Sequence, residues 1–340
     1  SNKLIGFFMH NLGAYRVDRR KKAKIYKDVL KAYAGCSMEL GYHNLFFPGG
    51  TRSRSGRVEQ GLKLGLLGMG LDAYVRNLIE KKVRPDIFVV PCTINYELVL
   101  EAETLIADYL KEAGKARYII EDDEFSKPKV ILDFTKKLFS LQSKIHVVLG
   151  EPLDVFGNRV DDDGVSRDFR DRPIDRTRYV IKNGIVQLDA QRDGEYTREL
   201  AHAIVQSYRK HTMLKTTNVL CHVVFRWLQE KSQGMDLYRL LRTGGAEESI
   251  PIPEAYGRID KVREALRRLA DRERVRLDLP LREFETPTLV HYALAHLSSY
   301  HRRAAIERRG DRLFHEDRNL IYFYQNRLDG HVAELQAELS

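Results

Sequence analysis

Short apolar runs that end on glycine or proline alternate with longer stretches of helical spacing over the first 155 residues, and this alternation most restricts the fold. Leu45-Phe46-Phe47 stops at Pro48-Gly49-Gly50, Ile87 to Val90 stops at Pro91, and Ile145 to Leu149 closes at Gly150-Glu151-Pro152. Compact β-branched and aromatic runs bounded by such breakers read as short strands. Residues 20–34 put Ile25, Val29 and Tyr33 on one stripe while Lys21, Lys24, Lys27 and Lys31 point elsewhere, which predicts a basic-faced amphipathic helix. Residues 62–79, 98–110 and 130–141 carry helical spacing as well. Strands alternating with helices predict an α/β domain over residues 1–155. Residues 156–193 are rich in Asp, Arg and Gly without periodicity and read as a linker with one hairpin. Residues 194–340 are mostly helical in pattern, with candidate helices at 200–214, 219–228, 259–277, 289–300 and 320–335.

Composition fits a folded chain of about two domains: 340 residues, 43% hydrophobic and 31% charged. No apolar run approaches the roughly 20 residues that a spanning helix needs. Cys36, Cys92 and Cys221 are odd in number and widely spaced, giving neither a disulfide framework nor a metal-ligand pattern. A reducing compartment is the expectation. The net charge of +9 is local, because residues 1–63 hold 13 Lys+Arg against 4 Asp+Glu and so account for all of it. With the charge in one segment and no recognised nucleic-acid motif beside it, no nucleic-acid partner is expected.

The chemistry concentrates in residues 46–57, Phe-Phe-Pro-Gly-Gly-Thr-Arg-Ser-Arg-Ser-Gly-Arg. Two consecutive glycines let a backbone approach a ligand closely and turn its N–H groups toward an anion. Thr51, Ser53 and Ser55 add hydroxyls, and Arg52, Arg54 and Arg57 add permanent charge in forks that match two phosphate oxygens. The pattern describes a phosphate cradle; composition alone leaves a solvated Arg/Ser loop equally open. It is not a nucleotide P-loop, since the G-x-x-x-x-G-K-[ST] spacing is absent. A second cationic group, Arg16, Arg19 and Arg20, follows Gly13.

With these motifs in order the chain resembles the glycerol-phosphate acyltransferases of phospholipid synthesis, which share motifs with the lysophosphatidate acyltransferases. Gly13 to Arg19 resembles the family's Gly…Arg motif, Phe47 to Gly56 its Phe-Pro-Glu-Gly-Thr-Arg-Ser-Arg-Ser-Gly motif, and Val89 to Glu97 its Val-Pro motif. The last continues as Leu98-Val99-Leu100-Glu101, more like the glycerol-3-phosphate and dihydroxyacetone-phosphate branch. Residues 322–328, Tyr-Phe-Tyr-Gln-Asn-Arg-Leu, are similar to a C-terminal segment of the glycerol-3-phosphate branch. The resemblance implies a glycerolphosphate-acyltransferase-like domain with a central mixed sheet flanked by helices, followed by the helical C-terminal region. It implies acyl transfer from acyl-CoA or acyl carrier protein to a hydroxyl of glycerol 3-phosphate, without a cofactor. It assigns phosphate binding to Arg19, Gly50, Thr51, Arg52, Ser53 and Arg54, with Arg16, Arg20 and Pro91 as secondary candidates. Other readings are dihydroxyacetone-phosphate or lysophosphatidate acyl transfer, or a non-catalytic protein that binds phosphate or anionic lipid.

Two departures from the family pattern stand out. Gly49 occupies the place where the family usually has Glu. The family's catalytic His-x-x-x-x-Asp is missing, since none of the 11 histidines has Asp five positions later. The expectation is therefore an N-terminally truncated fragment, inactive alone, that supplies the substrate-binding half of a site. In the family's reaction a His oriented by an Asp takes the proton of the attacking hydroxyl. A product that must reach a membrane, in a chain without a spanning helix, implies peripheral docking on the cytoplasmic face. Leu4, Ile5, Phe7, Phe8 and Met9 beside the basic residues are candidates for this, the alternative being that they form core. No metal is assigned: His291, His296 and His301 do not share a helix face, and the acidic runs 121–124 and 161–163 lack a calcium-loop pattern.

Overall fold

The computed structural model describes residues 3–15, 17–18, 21, 23–113, 144–245 and 247–339. The N-terminal half holds helices α1 (Lys3–Asn11), α2 (Lys24–Glu39), α3 (Leu64–Ile79) and α4 (Ala102–Ala113). Strands β1 (Phe88–Val89), β2 (Cys92–Tyr96) and β3 (Ile145–Leu149) accompany them. α3 forms where the apolar repeat placed it, and Leu67, Leu71, Tyr74 and Val75 form its buried side. That side packs against α5 (Ala190–His211), whose Leu200 and Ile204 are equally buried. Asp189 starts α5 by accepting from the backbone N–H groups of Gln191 and Arg192, which satisfies donors that an open helix end leaves unpaired.

The strands are distributed over several short sheets. β1 pairs antiparallel with β4 (Leu153–Asp154), which continues through β5 (Arg159–Val160) to β6 (Ser166–Arg167). β2 and β3 form an antiparallel ladder with Asn95 opposite His146, and β7 (Ile181–Lys182) and β8 (Ile185–Val186) make a hairpin. Further on, β9 (Met213–Leu214) pairs parallel with β11 (Arg276–Leu277). β10 (Ser249–Pro251), β13 (Arg312–His315) and β12 (Ile306–Arg309) form a three-stranded sheet. The acidic run 161–163 is the β5–β6 turn, in which the Asp161 carboxylate accepts from the Val165 and Asp163 N–H groups and from Arg167.

The C-terminal half is the helical region that the periodicity predicts. α6 (Thr216–Lys231) is buried nearly all round and carries Trp227, Leu220 and Leu228 into the main core. α7 (Ile252–Asp271), α8 (Thr286–Ser299) and α9 (Arg318–Gln325) pack on it; a 3-10 turn (Asn326–His331) and α10 (Val332–Leu339) follow. α4 joins this core through Ala102, Leu105 and Ile106. The mixed α/β class with a helical C-terminal region is thus as expected.

Two local expectations differ. Residues 45–47 form no strand, and Leu45 and Phe47 are exposed; an apolar run becomes a strand only where a neighbour completes its ladder, and no described strand pairs with it. α2 is present, but Ile25, Val29 and Tyr33 face outward. Its buried positions are Ala34 and Gly35, where the small residues admit Met69 of α3. Phe7, Phe8 and Met9 of α1 are exposed too, so the core alternative does not hold for them. The candidate helix at 130–141 and the acidic run 121–124 lie outside the described residues. Among the described residues no helix is long and apolar enough to cross a membrane, and no cluster of His, Cys, Asp and Glu has a metal-binding arrangement.

Candidate functional site

The loop at 47–57 is anchored at its base by the Lys63 N–H, which donates to the Pro48 carbonyl at 2.8 Å, so the loop's start and the start of α3 are held together. The Gly50 N–H closes a turn onto the Phe47 carbonyl at 3.1 Å. Gly50 sits at φ +75°, a conformation strained for any residue with a Cβ. A Cβ there would fall 2.6–2.8 Å from the end of the Lys63 side chain. A Cβ on Gly49 would collide with the Glu59 carboxylate. The glycine pair is therefore bordered by one ammonium and one carboxylate, and Glu59 fills the space next to the position where the resembling family carries its own Glu. Lys63 has no carboxylate within ion-pair distance among the described residues. It was absent from the sequence-based candidates because it lies beyond the motif and marks only the start of a helix.

The loop arginines diverge. Arg52 pairs with Glu101 at the start of α4, and Arg54 Nη1 lies 2.5 Å from Oε1 of Glu112 near its end. Arg57 Nε lies 2.9 Å from Oδ2 of Asp329, and its Nη2 donates to the Tyr322 hydroxyl at 3.3 Å. The Ser53 hydroxyl donates to the Arg57 carbonyl at 2.8 Å and braces the loop internally. Thr51 is exposed, and Pro91 is buried with its carbonyl accepting from Gly150 N–H at 2.7 Å. Arg16, Arg19 and Arg20 lie outside the described residues. The structure thus brings Lys63 and Gly50 together, and holds Arg52 and Arg54 on separate carboxylates.

A second polar assembly, which the sequence did not reveal, lies where β2 and β3 meet the C-terminal half. The Lys215 side chain is 1% exposed and its ammonium faces three acceptors. These are His146 Nδ1 at 2.8 Å, Glu97 Oε2 at 3.3 Å and Asp278 Oδ2 at 3.5 Å. The Thr216 hydroxyl donates to the other Glu97 oxygen at 3.1 Å, and the Leu281 N–H donates to Asp278 Oδ1 at 3.0 Å. Burial, with the Glu97 charge adding to it, pushes the Asp278 carboxyl up, because two carboxylates share one ammonium. Burial and then the Lys215 charge hold His146 below its usual range, so its ring accepts from Lys215 as the neutral form. Glu97 belongs to the Val-Pro stretch, whereas nothing in the sequence marks Lys215 or Asp278.

Next to it β2 is tied down further. The Thr93 hydroxyl donates to the His211 carbonyl at 3.0 Å, and Met213 N–H donates to Asn95 Oδ1 at 3.1 Å. A cleft of about 250 Å³ lies along the C-terminal part of α5, lined by Glu151, Ser207, Lys210, His211 and Glu334 among others; it includes none of the sequence-predicted site residues.

Comparison with known proteins finds similarity to acyltransferases. Residues 1–95 match the family model described as Acyltransferase. Over 151 residues the chain is 33% identical to a glycerol-3-phosphate acyltransferase of Pasteurella multocida (strain Pm70). Over the same length it is 34% identical to one of Haemophilus ducreyi (strain 35000HP / ATCC 700724) and 32% identical to one of Actinobacillus pleuropneumoniae serotype 5b (strain L20). Each alignment covers 44% of this chain, and 17%, 17% and 16% of the respective relatives. The match therefore spans about a sixth of the length of these curated relatives. No solved structure matches the chain.

Proposed function

We propose that this chain carries the phosphate-binding part of an enzyme that transfers an acyl group to glycerol 3-phosphate. The observation that carries the reading is the Gly49-Gly50 turn with the Lys63 ammonium beside it, on a loop of three arginines, within the stretch similar to glycerol-3-phosphate acyltransferases. A phosphate dianion at this turn meets first the Lys63 ammonium, which has no carboxylate within ion-pair distance among the described residues. It then competes with Glu101 and Glu112 for the guanidinium groups of Arg52 and Arg54, whose forks suit paired oxygens. Holding the phosphate fixes where the glycerol hydroxyl lies, which converts an encounter into an oriented reaction.

In the proposed reaction the hydroxyl oxygen bonds to the carbonyl carbon of an acyl-CoA or acyl carrier protein thioester. The carbon–sulfur bond breaks, the thiol leaves, and the hydroxyl proton passes to a general base. No His of this chain has the His-x-x-x-x-Asp arrangement, so that base is not assigned to a residue here. The exposed Phe7, Phe8 and Met9, with the lysines of α2 nearby in sequence, support peripheral docking on anionic membrane at the cytoplasmic face.

Calorimetric titration of the chain with glycerol 3-phosphate, and with glycerol, tests the phosphate reading. Binding of the phosphate ester alone, weakened about tenfold in Lys63→Ala as expected for one charge-assisted hydrogen bond, supports it. Equal behaviour of the two titrants removes it.

A further inference from the structure

We infer that the C-terminal segment 322–329 is a positioning clasp for the arginine loop, with Asn326 and Asp329 as its working side chains. The inference rests on the phosphate-binding reading above and gives a function to a region far from the loop in sequence.

Contacts from this one segment converge on three consecutive loop residues. The Asn326 side-chain amide donates to the Ser55 carbonyl at 2.7 Å, and Asn326 is fully buried. The Phe323 carbonyl lies against Gly56, so close that a Cβ at that position would overlap it. Asp329 and the Tyr322 hydroxyl both engage the Arg57 guanidinium. A fifth contact reaches the chain beyond β2, where the Val99 N–H donates to the Tyr324 hydroxyl at 3.1 Å. The clasp is itself rigid: Asp317 caps α9 through the Leu320 N–H at 3.0 Å, and the Asn218 amide donates to the Tyr324 carbonyl at 3.1 Å from the buried helix α6.

The geometry has a consequence for binding. An exposed loop of glycine, serine and arginine loses conformational entropy when it closes on a ligand. Residues 55–57 are already held by the buried Asn326, Phe323 and Tyr322 and by the half-buried Asp329, while Lys63 and Pro48 hold the base. The stretch between these anchors carries Thr51, Arg52 and Arg54, and its arginines are held only through side-chain ion pairs to Glu101 and Glu112 of the α4 region. Asn326 and Asp329 thus lower the ordering cost of phosphate binding without touching the phosphate.

The test compares the unaltered chain with Asn326→Ala, Asp329→Asn and Asp329→Glu by hydrogen exchange over residues 50–57, glycerol 3-phosphate titration and thermal unfolding. The expected result is faster exchange in 50–57 and about tenfold weaker binding for Asn326→Ala and Asp329→Asn. Asp329→Glu, which keeps the carboxylate, recovers most of the affinity. Unchanged exchange in the loop overturns the clasp, whatever happens to binding. Faster exchange with unchanged affinity, or equal loss in Asp329→Asn and Asp329→Glu, overturns the positioning role. If the unaltered chain binds no glycerol 3-phosphate, the phosphate reading fails and the positioning role with it; the exchange data then show separately whether the segment holds the loop.

Discussion

Replacing Lys215 by Met removes the ammonium that sits among His146, Glu97 and Asp278 and leaves a side chain of similar length. The two carboxylates then remain in a site where both side chains are 1% exposed, with no cation within reach among the groups described there. Removing one partner of a buried ion pair typically costs about 3–5 kcal/mol, because the remaining charge stays desolvated. A loss of that size is a large fraction of the ~5–15 kcal/mol by which folded domains are usually stable. The pH dependence supplies a sharper signature. The Asp278 carboxyl is raised from its ordinary 3.8 to about 6, so between those values the folded chain binds a proton that the unfolded chain does not. Stability from this group therefore falls as pH rises through the window. Without Lys215 the carboxyl rises further, and His146 regains basicity, so acid relieves the variant more than the parent. Urea unfolding followed by far-UV circular dichroism at pH 7 and pH 5 measures both. The expectation is a stability loss of about 3–5 kcal/mol at pH 7 that shrinks at pH 5. A loss below about 1 kcal/mol, equal at both pH values, contradicts a buried, charge-coupled Lys215 assembly.

Two further predictions concern the loop. Glu101→Gln releases Arg52 from its carboxylate and is expected to tighten glycerol 3-phosphate binding severalfold, read by calorimetry; weaker binding contradicts competition between Glu101 and the ligand. Gly56→Ala places a Cβ at φ +77° against the Phe323 carbonyl and is expected to lower stability by about 1–3 kcal/mol, read as a drop in unfolding midpoint. An unchanged midpoint places the loop elsewhere.

What the sequence made legible was local. The helical stripe of α3 is fixed by Leu67, Leu71 and Tyr74 within a few turns, and the glycine turn at 49–50 by residues that need no distant partner. Direction was not legible. The stripe Ile25, Val29 and Tyr33 marks a helix correctly, yet which side of α2 packs depends on Ala34 and Gly35 meeting α3. Leu45-Phe46-Phe47 has strand composition, but pairing is a property of two segments and composition reports one. The Lys215 assembly draws on Glu97, His146, Lys215 and Asp278, four residues with no shared motif, and the clasp joins Ser55 to Asn326 across most of the chain. The segment 322–328 was visible only as a resemblance, and its contact with the loop is a tertiary fact.

The central claim is that residues 47–63 form a binding site for a phosphate monoester, and titration of the chain with glycerol 3-phosphate at low and moderate salt measures it most directly. Saturable binding is expected that weakens with salt, is absent for glycerol, and is reduced about tenfold in Lys63→Ala and in Arg52→Ala. No binding at either salt concentration, or binding indifferent to both substitutions, contradicts it.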